Sequence, residues 1–252
     1  MSNEVTFGED RARSVEGRST VPGASSGRLL LLRHGQGSLG TDDYDRLSPL
    51  GREQAERLGQ RLRRDYDANW PTWCGSLKRH RQTVAGMKQG EPDRIDASLD
   101  EYRVDQLIGS AVAQSESLGL RVPGEDAFAD PAAYLMTFLE WFPEVLSVWQ
   151  NGRLICEGNG DWSGFRKRVL SPLSNWQEEL AAGRSLVVVS SAGVISTMTA
   201  ELLGHDLAWQ RDLNIRLYNA SLTELALDAQ GRWQAVRINC VNHLDDPRIT
   251  LA

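Results

Sequence analysis

The feature that most restricts the fold of this chain is a pair of uninterrupted apolar runs, at residues 29–32 and 186–189. Each ends in small or polar residues and leads on to a helical pattern. A short apolar run without polar alternation is the pattern of a strand covered on both faces, as in parallel sheets. The first run ends in Arg33-His34-Gly35 and the second in Ser190-Ser191-Ala192-Gly193. After the first, Ser48-Pro49 reads as a helix start, with serine as N-cap and proline in the first turn. Leu50, Ala55, Leu58 and Leu62 then give that helix one apolar face. Residues 73–76 predict a short strand, followed by a helix opening at Leu77 or Lys78. After the second run, Gly193 sits in the turn into a helix over 194–203, and Gly204 is its stop. Residues 220–227 and 233–238 read as two strands joined by 228–231. The alternation predicts a single α/β domain, with an open, mainly parallel central sheet and helices on both faces.

The rest of the chain is less regular. Residues 1–27 are rich in Ser, Gly, Arg and Glu without a sustained apolar period, which predicts a flexible N-terminal tail before a domain over 28–252. Residues from about 102 to 160 read as a helical insertion. Asp130-Pro131 opens a helix carrying Leu135, Phe138, Leu139 and Phe142, and Pro143 is expected to kink or end it. Its aromatic group, Tyr134, Phe138, Trp141, Phe142 and Trp149, reads as packing. A further helix is expected over about 162–180.

Several function classes are disfavoured. A formal net charge of -6 argues against a general nucleic-acid binder, although a local pocket of cations can still hold a phosphorylated small molecule. The three cysteines are far apart and form no C-x-x-C pair, and the four histidines lack metal-ligand spacing, so neither a disulfide framework nor a metal site is expected. No apolar run approaches the roughly 20 residues that span a bilayer. The first residues lack the apolar segment of a secretory signal. A cytoplasmic protein with no membrane partner is the expectation.

In open α/β sheets, ligands gather beyond the carboxyl ends of the strands. At the end of the first run a guanidinium and an imidazole leave a buried strand together, and Gly35 is expected to allow a sharp turn. A neutral imidazole can attack phosphorus, and a guanidinium presents a planar fork to phosphoryl oxygens. Ser191 and the amides of the helix that follows can donate to an anion. His80 and His243 read first as surface residues, with site contact second, and His205 as unrelated to chemistry.

The stretch RHGQGSLGTDDYDRLSPLGREQA resembles the histidine phosphatase superfamily, which includes cofactor-dependent phosphoglycerate mutases. The family pattern R-H-G, then L-[ST]-x-x-G-x-x-Q-A, is matched by Leu47, Ser48, Gly51, Gln54 and Ala55. The later block is matched by Ser76, Leu77, Arg79, Gln82 and Thr83. The resemblance implies a phosphoglycerate mutase-like fold over roughly residues 28–245. It implies that His34 is the nucleophile that becomes phosphohistidine, that Arg33 and Arg79 clamp the phosphate, and that Glu101 is the general acid and base. Asp100, Asp105 and Glu125 are the alternatives to Glu101. Two departures stand out: Gly40 occupies a position where the family often has Asn, and Ser191 replaces the second phosphate-binding histidine. Losing one transition-state donor costs about 3–4 kcal/mol, or roughly 10²–10³ in rate, so a slower catalyst is expected, and restoring an imidazole at 191 is expected to speed it. The implied activity is metal-independent phosphomonoester hydrolysis of a small phosphorylated substrate, without a cofactor. A mutase-type phosphoryl transfer and a non-catalytic phospho-ligand-binding protein are the alternatives. The substrate and the oligomeric state are not specified by the sequence.

Overall fold

The computed structural model describes residues 27–38, 45–66, 69–87, 90–124, 131–228 and 230–251. The expected tail lies outside these apart from Gly27, as do Gly40, Glu125 and Asp130. A six-stranded sheet forms the centre, in the order β3-β2-β4-β1-β5-β6. Its strands are β1 (Arg28–Arg33), β2 (Thr72–Cys74), β3 (Arg94–Ile95), β4 (Leu186–Ser190), β5 (Leu222–Leu227) and β6 (Trp233–Cys240). The pairs β1/β4, β2/β4 and β2/β3 are parallel, whereas β5 and β6 add an antiparallel edge to β1. The expected mainly parallel sheet is therefore present.

Both apolar runs are covered on both faces. Leu29 and Leu31 join one core with Leu186 and Val188, while Leu30 and Leu32 join a second core with Val187 and Val189. This is the period-2 alternation of a strand, with both faces buried. Helices α1 (Pro49–Asp65) and α2 (Lys78–Gly86) cover the second face through Leu58, Leu62 and Val84. The first face carries α3 (Val104–Ala113), α4 (Ser115–Leu118), α5 (Pro131–Gln150), α6 (Trp162–Leu170), α7 (Leu173–Ala181), α8 (Ala192–Leu203) and α9 (Leu207–Arg216).

Local signals account for most element ends. Ser48 caps α1 by accepting from the Gly51 amide at 3.0 Å, with Pro49 in the first turn. Gly204 ends α8 in the left-handed conformation at φ 72°. Two expectations need correction, and one helix was not foreseen. Pro143 does not end its helix: α5 runs on to Gln150, because Phe142, Val145, Leu146 and Trp149 dock into the core on both sides of the proline. The helix expected over 162–180 is two, separated at Ser171-Pro172. Helix α9 went unread because its apolar and polar residues share no consistent face. Of the aromatic group, Trp141, Phe142 and Trp149 are core, Phe138 packs against it half-buried, and Trp149 lies edge-on to Tyr102 and Trp162.

Candidate active site

The register of the two central strands sets the site. Arg33 faces Ser190 across β1 and β4, and the His34 amide donates to Ser190 O at 3.0 Å. His34 and Ser191 therefore leave adjacent strand ends together, at the carboxyl edge where α/β ligands bind. Ser191 is the N-cap of α8.

The motif residues without chemistry of their own build the seat of Arg33-His34-Gly35. Thr83 Oγ1 accepts from the Gly35 amide at 3.1 Å and donates to Arg79 O at 2.8 Å, so it ties the strand end to α2. Gln54 accepts from the Gln36 amide at 2.8 Å and donates to Arg248 O and Thr250 Oγ1, which draws the C-terminal segment over α1. Gln82 Oε1 accepts from the Leu47 amide at 2.8 Å. Gly35 is needed for close approach, and not for a left-handed turn: a Cβ there would stand 2.3 Å from Gly51 O.

His34 is buried, with Nδ1 2.7 Å from Gly35 O. Only Nδ1–H can make that bond, so the proton sits on Nδ1 and the lone pair on Nε2. Arg79 Nε donates to that Nε2 at 3.2 Å. The cation and the imidazole thus meet at one point, as a shared phosphoryl site requires. Arg79 is buried, and its Nη1 pairs with Asp45 Oδ1 at 2.8 Å. Arg33 Nη1 donates to the carbonyls of Leu217 and Leu251. Burial, and then the charges of Arg79 and Arg33, hold the His34 imidazole well below its usual range, which keeps it neutral.

Glu101 enters from the loop after the 3-10 turn Ala97–Leu99. Its carboxylate accepts from the Gly193 amide at 2.8 Å and the Tyr102 amide at 3.1 Å. Burial pushes its carboxyl above the ordinary carboxylate range, against the opposing pull of those amides and of Arg79 and Arg33. The alternatives are placed differently. Asp100 is held by the Ser76 amide and hydroxyl, and Asp105 is exposed on α3. Arg168 reaches across from α6 to donate to the carbonyls of Ala97, Ser98 and Asp100, which fixes the loop that carries Glu101.

His80 departs from its surface reading. It is fully buried, with Nε2 2.7 Å from Ser191 Oγ and its ring centroid 5.5 Å from that of His34. The sequence held a signal for this: His80, Thr83, Val84 and Met87 form one helical stripe, all buried. The exposed Lys78 and Arg81 beside it masked the stripe. His243 is neither at the site nor at the surface. It is half-buried, and burial followed by Arg61 pushes it down to about 4. His205 is exposed and stacks on Trp209. Asp45 and Arg168 gave no sequence signal, because their partners are distant in the chain.

Among the described residues no group of three or more His, Cys, Asp or Glu side chains could share a metal ion, and no helix is long and apolar enough to cross a membrane. Solved structures share the fold. A mycobacterial glucosyl-3-phosphoglycerate phosphatase in complex with VO3 is 23% identical, with a TM-score of 0.56 over 86% of this chain and 100% of the other. The alpha-ribazole phosphatase from Shigella flexneri is 20% identical, with a TM-score of 0.55 over 84% and 96%. A phosphoserine phosphatase mutant from Entamoeba histolytica, in complex with phosphoserine, is 16% identical, with a TM-score of 0.54 over 86% and 98%. No curated protein matches the sequence significantly. The sequence profile of the histidine phosphatase superfamily (branch 1) matches residues 29–123 and 135–241, from β1 through the α2 arginine to the last strand, and the chain belongs to that superfamily.

Proposed function

We propose that this protein is a phosphomonoesterase that works through a phosphohistidine on His34 and needs no metal ion. The observation that carries the reading is the Nε2 lone pair of a buried, neutral His34, aimed at the guanidinium of Arg79. A phosphate monoester that enters between them gives the guanidinium an anionic acceptor and the lone pair an electrophile.

In the first half-reaction His34 Nε2 attacks phosphorus, and the ester P–O bond breaks. Its electron pair goes to the leaving oxygen, which takes the Glu101 proton. The raised carboxyl of Glu101 suits a group that must hold a proton until that moment. In the second, Glu101 takes a proton from water, the water oxygen bonds to phosphorus, and the P–N pair returns to His34. Glu101 ends protonated, ready for the next turnover. Arg33 and Arg79 offset charge on the equatorial oxygens throughout, the work a divalent ion does in other phosphoryl-transfer sites. Ser191, at the N-terminus of α8, completes the anion contacts.

The test is hydrolysis of p-nitrophenyl phosphate in excess EDTA by the wild type and by His34→Ala. The expected result is chelator-resistant turnover that His34→Ala abolishes, with an acid-labile, base-stable phosphoprotein trapped in the wild type. Unchanged hydrolysis in His34→Ala would overturn the mechanism. Phosphate binding without hydrolysis of any ester in a broad panel would identify a binding protein.

A further inference from the structure

Position 191 lacks an imidazole, and the structure places another one against it. We propose that His80 is the second imidazole of the phosphoryl site, and that it acts through Ser191 as a positioning residue. The assignment rests on the phosphatase reading above and adds a residue to it.

The geometry comes from three positions. First, His80 Nε2 lies 2.7 Å from Ser191 Oγ, and Ser191 makes no side-chain cap bond to α8, so its hydroxyl is engaged by the ring. Second, the ring needs Gly75: a Cβ there would stand 2.2 Å from His80 Nδ1, 2.8 Å from its Cε1 and 2.6 Å from Asp100 Oδ1. Third, a ring built at 191 would put its own atoms where Oγ already touches His80, so the two imidazoles exclude each other. A small residue at 75, a ring at 80 and a small residue at 191 form one packing arrangement. It seats an imidazole beside the N-terminus of α8 from helix α2, in place of the strand end.

The chemistry follows from the bond. His80 Nδ1 makes no hydrogen bond, and Asp100 Oδ1 lies 4.0 Å from it. With the proton on Nε2, His80 donates to Ser191 Oγ and leaves the Ser191 hydroxyl hydrogen for a phosphoryl oxygen. The polarised hydroxyl then does what a directly contacting imidazole would do, one bond removed. The His80 ring that engages this donor lies beside the nucleophile, its centroid 5.5 Å from that of His34.

The experiment is an imidazole transfer. His80→Ala is expected to lower kcat on p-nitrophenyl phosphate by about 10²-fold, the loss typical of one preorganised donor. His80→Gln, which keeps an N–H at similar reach, is expected to retain at least about a tenth of wild-type kcat. Ser191→His alone is expected to lower the rate, because the seat is taken. His80→Ala with Ser191→His is expected to recover to within about tenfold of wild type. A His80→Ala enzyme within about threefold of wild type, or a folded double variant no better than His80→Ala, overturns the assignment. A readout independent of turnover is the 15N spectrum of the His80 ring in wild type titrated with inorganic phosphate. An Nε2–H tautomer that shifts on binding supports the relay, and an Nδ1–H tautomer or no shift overturns it. Should the wild type hydrolyse no phosphoester, the phosphatase reading falls alone. The His80 assignment is then decided by inorganic phosphate affinity: about tenfold weaker in His80→Ala and restored in the double variant supports it, and unchanged affinity refutes it.

Discussion

Gly193→Ala tests the proton-transfer role proposed for Glu101 without altering a charged group. A Cβ at 193 would stand 2.3 Å from Glu101 Oε1 and 2.4 Å from Tyr102 Cε1, both inside the 3.0 Å that real Cβ contacts respect. Tyr102 is held by Asn214 through its hydroxyl and packed among Phe142, Trp149 and Phe165, so it cannot retreat. With Tyr102 fixed, the backbone at 193 must back away from its ring and separate from Glu101 by at least about 0.7 Å, so the bond from the 193 amide to Glu101 is lost or bent. A misplacement near 1 Å costs on the order of 10²-fold in rate, and overpacking of this kind costs about 1–3 kcal/mol of stability. The loss should depend on the leaving group. β-Glycerophosphate needs a proton on its departing alkoxide and should lose about 10²-fold in kcat/KM. p-Nitrophenyl phosphate leaves well unprotonated and should lose no more than about fivefold. Comparing the two substrates on one folded preparation removes stability from the comparison. Equal losses on both, or no loss on either, would refute the placement of Glu101 as the leaving-group acid.

The pH profile has a fixed sense. The proposed nucleophile His34 has to be neutral and is held below its usual range, so the acid limb of kcat/KM should lie below 6.5. The proposed mechanism needs Glu101 protonated, and its carboxyl is raised above 4.5, so activity on β-glycerophosphate should fall as pH rises past that raised value. Glu101→Gln should remove the alkaline limb, and a wild-type kcat/KM that climbs from about pH 6 to 9 would contradict the assignment. Asp45→Asn removes a carboxylate from Arg79 and should tighten inhibition by inorganic phosphate about two- to fivefold, or ~0.4–1 kcal/mol; weaker inhibition would show that Asp45 chiefly orients the guanidinium. Arg168→Ala releases three carbonyls of the Glu101 loop and should lower the melting temperature by about 2–4 °C, with a larger kcat/KM loss on β-glycerophosphate than on p-nitrophenyl phosphate.

The sequence alone determined the parts governed by local physics. Two short unbroken apolar runs, each closed by polar or small residues, fit strands buried on both faces that end where polar residues can leave the core. That set the α/β class and put Arg33-His34 and Ser191 at strand ends. Ser48-Pro49 and Gly204 marked helix ends through capping geometry that depends on adjacent residues only. Family motif spacing then pointed to Arg79 and Glu101. Only the tertiary structure decided what depends on contacts across the chain. The partners of His80 lie 111 residues away at Ser191 and across the neighbouring loop at Gly75 and Asp100. Its burial is set by which face of α2 meets the sheet, and a basic run of sequence reads as exposed whichever face that is. Pro143 tells the same story: a proline disfavours helix locally by removing one hydrogen bond, yet core contacts on both sides hold α5 continuous. Local bonding fixes where a strand or helix begins and ends, whereas the charge state and partners of a buried side chain follow from the low-dielectric interior that distant segments assemble around it.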